Sequence, residues 1–448
     1  MFDFLKRKKG PVVRERPDHC ISRRDIDPDA LKVLYRLSSL GYVAYLVGGG
    51  VRDLLLGRKP KDFDVGTDAR PNEVRRAFRN CFLVGRRFRL AHIKFGQKII
   101  ETTTFRGTAA TVGEILEQAA EGPVEDNTFG TPEEDANRRD FTVNGLFYDI
   151  KTFSVIDYVG GLKDLDRKIL RTIGDPMVRF RVDPVRMMRA VKFASRLGFK
   201  IEPKTEKAMR KLHSCILNAA MPRVCEEVFR LFPYGAGEAA FRMMWDFGLL
   251  GDLMPDLSRH IDETGGKNAP IWKYLRALDA ETLRAEEAGG TVSNAVRLAT
   301  LFTALVKDGG GSGDGRSAHQ AMHQALSAAS QTLRMPKAVY FSASVLIDSV
   351  RRLSRPPQAG RTRFAYCRDF PDALVYNRIV CEAEGRSAAC LEQWAALSRS
   401  AAPGDGDGDR PRRNRRGRRR RGGSSSRIAP ENGAQPDNPS PEANENVQ

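Results

Sequence analysis

Long apolar runs are missing from this chain of 448 residues, and nothing approaches the roughly 20 residues that cross a bilayer. Met1 to Gly10 carries a short Phe-Leu patch and basic residues, with no apolar segment of signal length. The expectation is a soluble, cytoplasmic protein without membrane contact. Cysteine is sparse: Cys20, Cys81, Cys215, Cys225, Cys367, Cys381 and Cys390 are odd in number and scattered. With no Cys-x-x-Cys pair there is neither a zinc framework nor a disulfide plan, which suits a reducing compartment. Two common nucleotide signatures are also absent. Gly48-Gly49-Gly50 lacks the dinucleotide spacing, and no Gly-Lys-Ser/Thr follows it. Residues 236–400 show no metal-ligand His/Asp spacing, which argues against a phosphohydrolase module.

Acidic residues are the minority, and the net charge is +18. The Arg-rich C-terminus is the obvious source, yet residues 401–448 hold ten arginines against seven acids, so +15 lies in the first 400. A basic folded body points to a polyanionic partner, because neutralising phosphates releases counterions. The length allows two or three domains with ample core.

The most informative stretch is Tyr42 to Thr67, YVAYLVGGGVRDLLLGRKPKDFDVGT. A short apolar strand leads through three glycines into a turn or two of helix. Glycines there let backbone N–H groups approach a ligand, and a helix N-terminus favours anions. Asp62-Phe63-Asp64-Val65 then alternates as a strand does, which puts Asp62 and Asp64 on one face. Two such carboxylates repel unless a divalent cation lies between them. Alone, each half reads equally as a plain turn and a solvated strand end; in this order they suggest a magnesium–nucleotide site.

Around this stretch the pattern is mixed. Residues 1–19 read as a flexible lead-in, and Ile26–Leu40 as a helix started by Asp27-Pro28. A helix from Pro71 to about Asn80 and strands at 82–84, 91–95 and 99–103 complete a small mixed sheet. Glu101 reads as a third carboxylate near the metals or as a strand-end glutamate facing water. Arg86, Arg87 and Arg89 surround Phe88, either as a solvated turn or as a surface for triphosphate or RNA backbone. Residues 108–128 read as a mobile loop. A helix is expected from Glu133 to Tyr148, bringing Asp140 and Asn144 onto one face for ribose hydroxyls, with Arg138 and Arg139 beside them for phosphate oxygens. Asp183-Pro184 is expected to cap and start a helix carrying Met187, Ala190, Val191 and Ala194 inward. On that helix Arg186 lies on the same side as Asp183. A carboxylate accepting an exocyclic amine beside a guanidinium donating to a ring nitrogen reads a base edge; the plain alternative is a cap and a surface ion pair. Residues 236–400 read as helical, with a Gly-rich insertion at Asp308–Gly315 and a basic-aromatic segment at Arg361–Asp369. The tail, with nine arginines from Arg410 to Arg421, reads as disordered and as a site for RNA or protein partners.

LVGGGVRDLLLGRKPKDFDVGT, Arg138-Arg139-Asp140-Phe141-Thr142-Val143-Asn144 and Asp183-Pro184-Val185-Arg186-Met187-Met188-Arg189-Ala190 together resemble the class II nucleotidyltransferases. That family comprises bacterial poly(A) polymerases and CCA-adding tRNA nucleotidyltransferases, and the resemblance is close over about residues 20–230. It implies an α+β chain: a mixed-sheet nucleotidyltransferase head (20–175), an all-α neck (176–235), an all-α RNA-binding body (236–400) and a disordered basic tail (401–448). It implies addition of AMP from ATP to RNA 3′ ends by a monomer using two Mg2+ ions on Asp62 and Asp64. Gly48, Gly49, Arg52 and Arg139 would hold the nucleotide, with Asn144 placing it and Asp183 and Arg186 reading the base. Glu101 and Asp140 compete as the third acidic residue. Val182 stands where the family usually has Glu. LVGRRFRLAH, ISRRDIDPDALKVLYRL and the Arg-rich tail resemble the poly(A) version rather than the CCA-adding one. A non-catalytic RNA-binding protein is the remaining alternative, and the intact Asp62/Asp64 pair speaks against it.

Overall fold

Apolar side chains recurring at two-residue spacing in the first 160 residues and at helical spacing beyond produce a sheet followed by stacked helices. The computed structural model describes residues 10–85, 89–107, 129–307, 315–358 and 362–400. In chain order the sheet region holds β1 (Val12–Arg14), α1 (Pro28–Ser39), β2 (Ala44–Val47), α2 (Gly49–Leu55), β3 (Asp64–Thr67) and α3 (Pro71–Ala77). β4 (Cys81–Val84), β5 (Leu90–Phe95), β6 (Lys98–Thr104), α4 (Pro132–Arg138), β7 (Leu146–Asp149) and β8 (Ser154–Asp157) complete it. Eight strands form one sheet in the order β1-β8-β7-β2-β3-β6-β5-β4. It is mixed: β3 and β6 run parallel and the other neighbours antiparallel.

Helices then take over. α5 (Gly161–Asp166), β9 (Ile169–Leu170), α6 (Pro176–Val182) and α7 (Val185–Leu197) lead to β10 (Lys200–Ile201), which pairs parallel with β9, and to α8 (Pro203–Leu212). They are followed by α9 (Met221–Phe229), α10 (Gly237–Asp246), α11 (Leu249–Leu253), α12 (Pro255–Glu263), α13 (Ile271–Glu287) and α14 (Asn294–Lys307). α15 (Gly315–Thr332), α16 (Lys337–Leu353), α17 (Phe370–Glu384) and α18 (Ala389–Ser400) end the described chain. A contiguous apolar core runs from Ile21 to Trp394, so sheet and helices share one interior. No helix among the described residues is long and apolar enough to cross a membrane.

Three sequence expectations change. The lead-in gains structure before residue 19, because Val12-Val13-Arg14 pair with β8 and cover an otherwise open sheet edge. The helix expected over Glu133–Tyr148 ends at Arg138. Thr131 and Glu134 form its capping box, but Arg139 turns to extended backbone, Thr142–Asn144 make a 3₁₀ turn, and Leu146–Asp149 are drawn into the sheet. Asp183 does not cap α7 through its side chain: it closes α6, and Pro184 takes the N-cap position. The α7 stripe of Met187, Ala190, Val191 and Ala194 is buried as expected. The loop over 108–128, the Gly-rich segment over 308–314 and the tail lie outside the described residues.

Candidate active site

Two strand ends and a glycine turn meet at one end of the central strands β2 and β3. β2 pairs with β3 so that Val47 faces Asp64, and the chain leaves Val47 into Gly48. Gly48 has φ +73, and an added Cβ would lie 2.8 Å from Arg139 Nη1, so the turn needs glycine on both counts. Gly50 lets α2 run close to the start of β3: its Cβ would sit 3.4 Å from the Asp62 carbonyl oxygen. The strand itself begins at Asp64, and Asp62 precedes it as an exposed residue.

Glu101 stands on the strand next to Asp64. β3 and β6 are parallel with Val65 beside Thr102, so one step back in register sets Asp64 beside Glu101. Asp64 is pushed up to about 6, first by burial, then by the Glu101 charge and, more weakly, by Asp62; Arg139 works in the opposite direction. Glu101 stays half exposed, with His92 Nε2 at 3.9 Å.

Asp140 is engaged quite differently. Its Oδ1 accepts from the Phe141 backbone N–H at 2.8 Å and from Asn144 Nδ2 at 3.0 Å, and Oδ2 accepts from Arg189 Nε at 2.7 Å. It is buried, and the Arg189 charge with these bonds outweighs desolvation and holds the carboxyl below the usual carboxylate range. Asn144 also accepts from Arg52 Nη1 at 2.5 Å. Arg52 is 2% exposed, donates to Asp53 Oδ1 at 2.9 and 2.7 Å, and stacks its guanidinium 5.1 Å from the centre of the Phe193 ring. Arg52, Asn144 and Asp140 thus form a buried chain of hydrogen bonds behind the glycine turn, ended by the partly exposed Arg189.

Arg139 lies over the turn instead. It donates to Asp135 Oδ2 at 3.1 and 2.9 Å and to the Asn144 carbonyl at 3.4 Å, and it remains partly exposed. Arg186 donates to the carbonyls of Arg139 and Arg138, each at 3.2 Å, and its Nε is 3.8 Å from Asp183 Oδ2. Asp183 itself is held by Arg223, through contacts of 3.1 and 3.0 Å. Arg89 is exposed; Arg86 and Arg87 lie outside the described residues.

Sequence reading gave no role to Arg179 or Arg106, which gather here with Arg138 and Arg186. Arg179 donates to the Ile173 and Asn137 carbonyls and is pushed down to about 10 by burial and by the neighbouring charges of Arg186 and Arg138. Arg138 is lowered by burial, Arg106 and Arg186. The signal was present in the run Arg179, Arg181, Arg186 and Arg189, though the convergence of Arg106 and Arg138 with it depends on the fold. Such crowding of guanidinia favours a polyanion.

Two regions of the chain match known protein families. Residues 44–171 match the family model described as "Poly A polymerase head domain", and residues 198–261 match "Probable RNA and SrmB- binding site of polymerase A". Poly(A) polymerase I of Escherichia coli O6:H1 is 48% identical over 260 residues, covering 57% of this chain and 56% of that protein. A CCA-adding enzyme of Lactobacillus helveticus is 36% identical over 234 residues, covering 52% of this chain and 57% of its own length. The matched region is therefore a little over half the length of these curated relatives. The crystal structure of the Bacillus stearothermophilus CCA-adding enzyme in complex with CTP superposes with a TM-score of 0.60 at 26% identity, covering 84% of this chain and 82% of that one. Residues 44–171 and 198–261 are thus similar to the head and the RNA-binding region of bacterial poly(A) polymerases, and more distantly to CCA-adding enzymes.

Proposed function

We propose that the protein is a template-independent adenylyltransferase that adds AMP from ATP to RNA 3′ ends. The observation that carries this reading is the placement of Asp64, crowded by Glu101 and Asp62, directly beside a glycine turn overhung by Arg139. A carboxyl raised by burial and by the charges of two neighbouring carboxylates is short of positive charge, and the all-oxygen donor set suits Mg2+. Asp62 and Asp64 would hold the ions, with Glu101 better placed than Asp140 to assist, since both Asp140 oxygens are already engaged. When bound, divalent ions favour the ionised 3′-hydroxyl and the departing pyrophosphate.

The remaining work falls to the protein. The Gly48–Gly49 backbone and Arg139 bind the triphosphate, and the cluster of Arg138, Arg179 and Arg186 draws the anion in. Arg52, Asn144 and Asp140 act from behind, keeping the turn and the Arg139 carbonyl region fixed. Asp183 and Arg186 present an acceptor and a donor to the adenine edge. The RNA 3′ oxygen attacks the α-phosphorus as the bond to pyrophosphate breaks. Exposed Arg89, with Arg86 and Arg87, and the arginines of the tail supply sequence-independent contact with the RNA backbone. Substrates of this kind fit a cytoplasmic protein.

Adenylate addition is favoured over CCA addition by the higher identity to poly(A) polymerases. The test incubates the full chain with a generic RNA and with tRNA lacking its CCA end, supplied with ATP alone or ATP plus CTP. Extension of the generic RNA by ATP alone supports the reading; CTP incorporation confined to tRNA reverses it. Asp62→Ala with Asp64→Ala should abolish transfer and leave RNA binding intact, and transfer that persists rules out the mechanism.

A further inference from the structure

Far along the chain from the head carboxylates, two imidazoles and a carboxylate converge. His319 and His323 are four residues apart on α15 and therefore share a helical face. Their ring centres are 4.6 Å apart with planes inclined by 59°. Asp348 of α16 completes the group: its Oδ1 is 2.9 Å from His319 Nε2 and 3.2 Å from His323 Nε2. Among the described residues, these are the three metal-ligand side chains whose donor atoms all lie within 4.8 Å of one another. The expectation that this helical region offers no metal-ligand spacing is thereby overturned, since His319-x-x-x-His323 supplies two ligands and the neighbouring helix a third.

Geometry and donor chemistry decide which ligand fits. A tetrahedral ion with bonds of about 2.0–2.2 Å holds its ligand atoms roughly 3.3–3.5 Å apart, and the two nitrogens already stand near that distance from one oxygen. Two imidazoles with one carboxylate suit a borderline transition ion, whereas Mg2+ and Ca2+ prefer oxygen alone. The side chains of His319 and His323 are 29% and 30% exposed and that of Asp348 is 54% exposed, so water can reach the remaining coordination position. Beneath them Met322 and Leu326 of α15 and Ile347 of α16 are buried, which anchors both helices.

We propose that His319, His323 and Asp348 bind one Zn2+-class divalent ion that ties α15 to α16, separate from the catalytic carboxylates. Because the ligands come from two helices, the ion binds the folded chain in preference to the unfolded one and stabilises it. Each histidine binds through the neutral Nε2 lone pair, with the ring proton moved to Nδ1.

The experiment uses the full chain stripped with a chelator. Co2+ titration should give one equivalent of intense visible absorption from a four-coordinate, nitrogen-containing site, displaced by Zn2+. The head carboxylates bind Co2+ through oxygen only, with far weaker absorption. Zn2+ should also raise the thermal midpoint. His319→Gln with His323→Gln should remove the absorption and the thermal shift while leaving Mg2+-supported RNA extension unchanged. Loss of these two ligands should weaken binding by more than the roughly 10–100-fold that an outer partner costs. Asp348→Asn, which keeps both imidazoles, should weaken Co2+ binding measurably. Absence of the band in the unaltered protein, or a band that survives the double substitution, overturns the assignment and leaves two ordinary His–Asp hydrogen bonds.

Discussion

Arg223 of α9 grips Asp183 with both terminal guanidinium nitrogens, Nη1 to Oδ1 at 3.1 Å and Nη2 to Oδ2 at 3.0 Å. Asp183 is the acceptor proposed to read adenine, so base recognition and this ion pair compete for the same oxygens. Arg223 is more than half exposed, and pairs of that kind contribute only about 0.2–1 kcal/mol. Arg223→Ala should therefore leave thermal stability almost unchanged and lower the KM for ATP up to about fivefold, the equivalent of 1 kcal/mol. Asp183→Ala should instead erode discrimination between ATP and the other nucleoside triphosphates. Steady-state kinetics with each nucleotide separates the two outcomes.

Asn144 answers to both sides of a buried network, accepting from Arg52 and donating to Asp140. Asn144→Ala leaves a buried guanidinium N–H and a carboxylate oxygen short of partners. A cost of about 2–4 kcal/mol is expected from two such groups, measured as a lower urea midpoint with an unchanged slope. If Asn144 served only the nucleotide, the midpoint would stay where it is while KM rose.

Gly48→Ala should act on both backbone and ligand site. With φ +73 and ψ −130 the backbone lies outside the left-handed helical region and costs on the order of 1–3 kcal/mol for an L-residue, and the new methyl would meet Arg139 Nη1 at 2.8 Å. Since the end of a flexible side chain can move, Arg139 should swing off the turn. The expected result is a modest loss of stability with a larger rise in KM for ATP, and Arg139→Ala should reproduce the KM effect without the loss of stability.

Local spacing made much of this site legible. The glycine turn and Asp62-Phe63-Asp64 fall within 17 residues, and α1 with its Asp27 cap follows rules that operate over a few residues. What failed depends on distant partners. Leu146–Asp149 continue a plausible helix in isolation, yet pairing with β2 and β8 converts them to strand. Asp140 and Asn144 still meet, but through a turn stabilised by the Phe141–Thr172 bridge rather than along a helix. The engagement of Arg52 by Asn144, 92 residues away, has no local signature, nor has the arrival of Asp348 beside His319.

Asp64 offers the sharpest test, because its role and its effect on stability oppose each other. Its pKa is raised from 3.8 to about 6 in the folded protein. Between these values the folded state holds more protons than the unfolded state, so in the absence of divalent ions stability falls as pH rises through that window. Asp279, also raised to about 6 by burial, adds a slope of the same sign, so the comparison must be with a variant rather than with pH alone. Asp64→Asn removes the charge and should be more stable than the unaltered chain at pH 7.5 in chelator, by on the order of 1–3 kcal/mol for a shift of this size. The gain should vanish near pH 4, where Asp64 is largely protonated in the folded protein. Added Mg2+ should stabilise the unaltered chain more than the variant, and the variant should transfer no nucleotide. Thermal melts of both proteins at both pH values, with and without Mg2+, give the four differences required. Equal stability of the two proteins at pH 7.5 in chelator would mean that Asp64 bears no charge crowding, and the case for a cation between these carboxylates would fail with it.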